Sequence, residues 1–176
     1  MSFSKRMSRI KPSGIRAVQK RIAGKSDMIS FAAGLPDPAL YPLEDLRKAA
    51  DTMLEKEGAT AFAYGLTKGY GPLLDYLTDR MNNREHVECT KENICILSGS
   101  QQGLGLAAMT FLDEGDVVIT ENPSYLGAIN AFRPYGAEFV GVDTDDDGIV
   151  IEDLERALEE NPKTKLIYVI PNFQNP

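Results

Sequence analysis

Asp116-Val117-Val118-Ile119-Thr120-Glu121-Asn122-Pro123-Ser124-Tyr125 is the stretch that decides the fold. Val117 to Thr120 are all β-favouring residues and show none of the polar alternation of a strand wetted on one face. Such a run, closed by an Asn-Pro turn, suits a parallel strand covered on both sides. The same rhythm extends in both directions. Ile94-Cys95-Ile96-Leu97 predicts a strand before it, and Glu138–Val142 and Lys165–Ile170 predict two more after it. Between them, Gln101–Leu112 carries a helical stripe of Leu104, Ala107, Ala108, Phe111 and Leu112. Pro123–Phe132 predicts a second helix stopped by Gly136, and Ile151–Leu158 a third after the Asp145-Asp146-Asp147-Gly148 turn. Strands alternating with helices indicate a parallel α/β sheet covered on both faces.

Upstream, the rhythm is helical. Pro36, Pro38 and Pro42 hold an extended segment. Leu43–Glu57 then predicts a helix with Leu43, Leu46, Ala50, Met53 and Leu54 on one stripe, ended by Gly58. Residues 64–71 form a glycine-rich, aromatic-bearing loop, and Pro72 suits the first turn of a helix reaching Met81. We divide the chain into an N-terminal arm and extended segment, 1–42, and an α/β domain, 43–176.

Composition removes several functions. The 176 residues are 43% hydrophobic, with a net charge of −7. A polyanion is poorly built to neutralise phosphates, so no nucleic-acid partner is expected. One histidine, His86, and two cysteines, Cys89 and Cys95, cannot build a His/Cys zinc site or a disulfide scaffold, and no metal site is expected. No stretch approaches the roughly 20 apolar residues of a membrane span. Residues 1–26 hold eight Lys and Arg and no acid. That pattern suits either an organelle transit peptide or a solvated arm that docks, through Ile15, Val18 and Ile22, on something acidic. We read an arm, and with it a cytoplasmic protein. The last strand is followed only by a loop, so the chain is expected to be a fragment of a larger protein.

Three motifs lie where strands should end, the position at which open α/β sheets bind ligands. Ser98-Gly99-Ser100-Gln101-Gln102-Gly103 sits at a strand-to-helix turn, where free amides and the helix dipole suit an anion. Alone, Ser100 reads equally well as a helix N-cap. Tyr125 can stack on a planar ring, and Asn175 can hydrogen-bond a ring oxygen. Pro123 and Asn175-Pro176 also suit an ordinary helix start and an ordinary turn.

Taken in order, five motifs resemble the pyridoxal-phosphate aminotransferases of fold type I. They are Gly34-Leu35-Pro36-Asp37-Pro38, Tyr64-Gly65-Leu66-Thr67-Lys68-Gly69, Ser98 to Leu104, Glu121 to Ala128, and Pro171-Asn172-Phe173-Gln174-Asn175-Pro176. Ser-Gly-Ser-Gln-Gln-Gly-Leu and Phe-Gln-Asn-Pro are most similar to the kynurenine/α-aminoadipate branch. The resemblance implies the parallel-sheet large domain of that fold, incomplete and preceded by an arm. It implies pyridoxal 5'-phosphate as cofactor, with an amino acid and a 2-oxo acid as substrates. Ser100 and Gln101 match the phosphate cup and Tyr125 the residue stacked on the pyridine ring. Asn175 matches the contact to the ring hydroxyl and substrate carboxylate. Tyr64 matches a tyrosine that reaches the other subunit's active site, which implies a homodimer. Gly34 and Arg16 match positions that line or cover the substrate.

In that family the Schiff-base lysine, the aspartate at the pyridine nitrogen and the arginine clamping the α-carboxylate all follow the Asn-Pro motif. They are therefore expected beyond Pro176, with no catalytic residue within 1–176, and the fragment alone is expected to be inactive. The family's strand order also implies a split sheet with exposed edges. A carbon–sulfur lyase of the same fold would share every motif. The aminotransferase-like effector domain of a transcription regulator is a further reading, for which residues 1–32 are too short to supply a DNA-binding module.

Overall fold

The computed structural model describes residues 2–12, 14–25 and 36–176. In chain order the helices are α1 (Lys5–Arg9), α2 (Gly14–Ile22), α3 (Leu43–Ala61), α4 (Gly71–Asn83), α5 (Ser100–Phe111), α6 (Leu126–Phe132) and α7 (Ile151–Glu160). The strands are β1 (Val117–Glu121), β2 (Glu138–Val142), β3 (Thr144–Asp145), β4 (Gly148–Ile149) and β5 (Thr164–Tyr168). Two compact units result: Met1–Pro12 together with Leu97–Pro176, and Ser13–Ile96.

In the first unit, β1 is the middle strand of a parallel sheet ordered β2-β1-β5. Every residue of β1 is buried, as its unbroken apolar run requires. Its side chains serve two cores. Val118 packs with Ala108 of α5, with Leu112 just after that helix, and with Ala128 and Phe132 of α6. Val117 and Ile119 pack on the opposite face with Val142 and with Ala157 of α7. This is the doubly covered parallel sheet that the strand–helix rhythm predicts. The cover thins toward β5, where Ile167 is 46% exposed. Gly136 ends the segment after α6 at φ +84°, a left-handed conformation that glycine adopts without strain.

Several boundaries differ from expectation, each for a local reason. Ile94–Leu97 forms no strand. Its Ile96 amide donates to the Lys68 carbonyl at 2.8 Å, but no extended neighbour among the described residues builds a ladder with it. The helix expected from Pro123 begins at Leu126, because the Asn122 amide still donates to Val142 at 2.9 Å and holds the chain in the sheet. β5 stops at Tyr168 rather than Ile170, since the Ile170 amide is taken by the Glu121 carboxylate at 2.9 Å. The acidic turn is the tip of a β3–β4 hairpin, whose Asp145 carboxylate accepts from the Asp147 and Gly148 amides.

The N-terminal segment of this unit is anchored by charge. Arg9 of α1 pairs with Glu114, and the Arg6 guanidinium lies 4.9 Å from the centroid of the Tyr135 ring. Ile15, Val18 and Ile22 are the residues expected to dock the arm. Those residues belong to α2 in the other unit, where Val18 is exposed; the Ile15 side chain lies outside the described residues.

In the second unit, α3 runs through Gly58, which was expected to end it, to Ala61. Leu43, Leu46 and Leu54 of its apolar stripe are exposed. α4 carries Pro72 in its first turn and buries Leu74. Gly69, at φ +122°, lies directly against the Ile96 side chain, and Lys68 pairs with Glu92. Among the described residues no helix is long and apolar enough to cross a membrane.

Candidate functional site

The start of α5 is built to stay open. Gly99, not Ser100, is its N-cap, at φ +83° and ψ 168°, so the cap has no side chain to accept from the leading amides. No acid stands in the first turn. Gln102 turns its side chain backward instead, and its Oε1 accepts from the Ser98 amide at 2.6 Å. Ser100, exposed at the first helical position, adds a hydroxyl beside the leading amides, of which that of Gln102 donates to the Gly99 carbonyl at 3.2 Å. The first amides of a helix and the positive end of its dipole together suit an anion.

Gln101 joins this start to the next helix. Its Nε2 donates to the Gly127 carbonyl at 3.2 Å, in the first turn of α6. Tyr125 is the residue that opens α6, and its ring folds back across Gly127. A Cβ at Gly127 would lie 2.3 Å from one ring carbon, so the glycine makes room for the aromatic. Ser124 beside it is buried, and its Oγ has no hydrogen-bond partner among the described residues. Sequence reasoning did not single out Ser124; a small polar residue after Asn-Pro carries no signal of burial. Tyr168 on β5 completes this corner, edge-on to Phe132 at 6.0 Å. Burial, and the charges of Tyr125 and Glu121, push its hydroxyl pKa above the ordinary tyrosine value.

Glu121, at the carboxyl end of β1, is a second residue whose role was not foreseen. It is only 6% exposed, and its Oε2 accepts from the Ile170 amide and from the Gln174 side chain. Gln174 in turn accepts at Oε1 from the Asn175 amide, at 2.8 Å. The loop after β5 that carries Asn175 is thus tied to the end of β1.

The expected residues therefore fall into three groups. Ser100, Gln101, Tyr125 and Asn175 all lie in the first unit, with Gln101 linking α5 to α6 and Glu121 linking β1 to the Asn175 loop. Tyr64 belongs to the second unit and is fully exposed. Arg16 lies within α2, with its side chain outside the described residues, as is the whole of Gly34.

Comparison with known proteins gives a consistent picture. Residues 26–176 match the family described as aminotransferase class I and II. An aromatic-amino-acid aminotransferase of Thermococcus litoralis is 40% identical over 99% of this chain and 42% of its own length. The structure of a Pyrococcus horikoshii kynurenine aminotransferase superposes with a TM-score of 0.88 at 37% identity, over 99% of this chain and 44% of that one. An α-aminoadipate aminotransferase from Thermus thermophilus, solved with N-(5'-phosphopyridoxyl)-L-leucine, superposes at 0.82 with 39% identity, over 99% and 41%. The chain thus spans less than half the length of these relatives.

Proposed function

The chain belongs to the class I and II aminotransferase family, and we propose that the whole protein moves an amino group between an amino acid and a 2-oxo acid with pyridoxal 5'-phosphate. The observation that carries this reading is the bond from Gln101 to Gly127, which sets the open helix start beside the helix that Tyr125 begins. The residues fit the cofactor. An N-terminus with a glycine cap and no acid in its first turn suits a phosphate, and a buried Ser124 hydroxyl with no partner among the described residues suits a polar ligand at the same corner.

When bound, the cofactor serves as an electron sink for the amino acid's Cα. This chain's residues supply binding and orientation. The Ser100 hydroxyl and the leading amides of α5 hold the phosphate. Gln101 keeps α5 and α6 in register, and the Tyr125 ring packs on the face of the pyridine. The Asn175 side-chain amide is placed to donate to the ring oxygen and to the substrate carboxylate. Arg16 and Gly34 line the substrate, and Tyr64 completes the site of a second copy in a cytoplasmic homodimer. In this reading residues 1–42 are an arm and 43–176 the first part of the cofactor-binding large domain.

Neither lysine of residues 97–176 suits the proton-transfer role. Lys163 precedes β5, and its carbonyl accepts from the Val117 amide, at the amino end of β1 and away from the strand-end rim. Lys165 projects from β5 into solvent. In this reading residues 1–176 alone bind cofactor at most and do not transaminate.

The test supplies the whole protein with a 15N-labelled amino acid and a 2-oxo acid, with and without pyridoxal phosphate. Cofactor-dependent transfer of the label to the 2-oxo acid supports the reading. Its absence across aromatic, acidic and aliphatic donors overturns it.

A further inference from the structure

Asn175 sits in an exposed loop, where a side chain is free to adopt many orientations, yet a group that orients a ring oxygen has to be held still. The loop contains its own restraint. Glu121, at the end of a fully buried strand, turns a desolvated carboxylate oxygen toward two donors, the Ile170 amide and Gln174 Nε2. A buried carboxylate is tolerated when donors satisfy it, and these two come from either end of the segment between β5 and Asn175. Gln174 is engaged at both of its amide atoms, since its Oε1 accepts from the Asn175 amide. Nothing in the order of residues announces this, because Glu121 and Gln174 are 53 positions apart.

We infer that Glu121 and Gln174 are positioning residues, a two-step relay that fixes the main chain of Asn175 against the rigid end of β1. Glu121 restrains the glutamine, the glutamine restrains the Asn175 amide, and the Asn175 side chain is left with little but its own rotamers to settle. The Ile170 contact sets where the loop leaves the sheet; the Gln174 contact sets where it returns to the rim. The cofactor consequence rests on the reading of Asn175 given above, whereas the relay itself does not.

Two readouts in the whole protein separate these parts. Gln174→Leu removes the relay at an exposed position and leaves the Ile170–Glu121 bond to hold the fold. Glu121→Gln keeps the shape but offers a neutral, weaker acceptor. Amide hydrogen exchange is measured at Asn175 and Ile170, and the pyridoxal-phosphate dissociation constant is measured by titration, for both variants, for Asn175→Ala and for Gln174→Leu/Asn175→Ala. We expect Asn175 to exchange faster in Gln174→Leu, with Ile170 unchanged, and to shift less, in the same direction, in Glu121→Gln. The dissociation constant should rise roughly fivefold in Gln174→Leu, as for loss of one hydrogen bond's net worth. The double variant should bind no more weakly than Asn175→Ala alone, because the relay acts through that residue. Unchanged Asn175 exchange in Gln174→Leu overturns the relay. Faster exchange with unchanged affinity, while Asn175→Ala weakens binding, overturns the positioning role and leaves the cofactor reading standing. Unchanged affinity in Asn175→Ala overturns the cofactor reading itself and the positioning role with it.

Discussion

Gln101 donates from Nε2 to the main-chain carbonyl of Gly127 across 3.2 Å, linking the second residue of α5 to the second residue of α6. Two helix starts, each with partial positive charge, are thereby held together by a neutral side chain. Neither α5 nor α6 has an acid in its first turn. A glutamate at position 101 would have repelled the carbonyl and cancelled part of the field that draws an anion. The amide ties the two helices and leaves that field intact.

Gly127→Ala probes the aromatic half of this corner. The new methyl would meet the far edge of the Tyr125 ring at 2.3–2.4 Å, so the ring must swing away. A ring edge moves more easily than backbone, so the stability cost should stay near ~1 kcal/mol, at the low end for overpacking. Cofactor affinity should fall by more than that cost explains. A variant with unchanged affinity would contradict the placement of Tyr125 on the cofactor face.

Gly69→Ala probes the second unit, far in sequence from these motifs. Here φ is +122°, and the added Cβ would lie 2.4 Å from Cγ1 and 2.7 Å from Cβ of Ile96, atoms near the backbone that cannot step aside. Backbone strain and overpacking together predict a loss of about 2–4 kcal/mol. Denaturant unfolding of wild type and variant measures it. A loss below that of Gly127→Ala would contradict the packing described for residues 69 and 96.

Much of the fold was legible because its signals are local. β1 announces itself by the β-branched run Val117–Thr120, β2 by the apolar run Phe139–Val142, and α5 by an apolar period with a glycine-serine start. Ile94–Leu97 misleads because composition describes a strand's side chains, whereas a strand exists only with a neighbour to bond. The late start of α6 depends on Asn122 remaining bonded to Val142, and the early end of β5 on Glu121 capturing the Ile170 amide. Such long-range competitors leave no trace in local propensity. At the site, Ser100, Gln101, Tyr125 and Asn175 were readable as motifs. The burial of Glu121 and Ser124 was not, since neither a glutamate nor a serine signals burial by its type.

Docking of α1 should respond to pH. The Arg9 guanidinium, by hydrogen bond and charge, holds the Glu114 carboxyl below the ordinary glutamate range. A lowered pKa in the docked state means that the pair stabilises docking above that range and that this contribution is lost as pH falls through it and below. Both groups meet solvent, so salt should weaken the effect as well. Limited proteolysis of the N-terminal segment should accelerate at acid pH in wild type. Glu114→Gln should cleave faster near neutrality and show a flatter pH response; an unchanged profile would contradict the pairing.

The central claim is that the start of α5 cradles the phosphate of pyridoxal phosphate. Its most direct test is the cofactor dissociation constant of the whole protein, wild type against Ser100→Ala, by equilibrium titration. Ser100 is exposed and does not cap α5, so the substitution leaves the helix itself intact. A hydrogen bond to a charged phosphate is worth about 1.5–3 kcal/mol. Weakening of roughly tenfold or more is therefore expected, with thermal stability of the cofactor-free protein unchanged. Equal dissociation constants for the two proteins would contradict it.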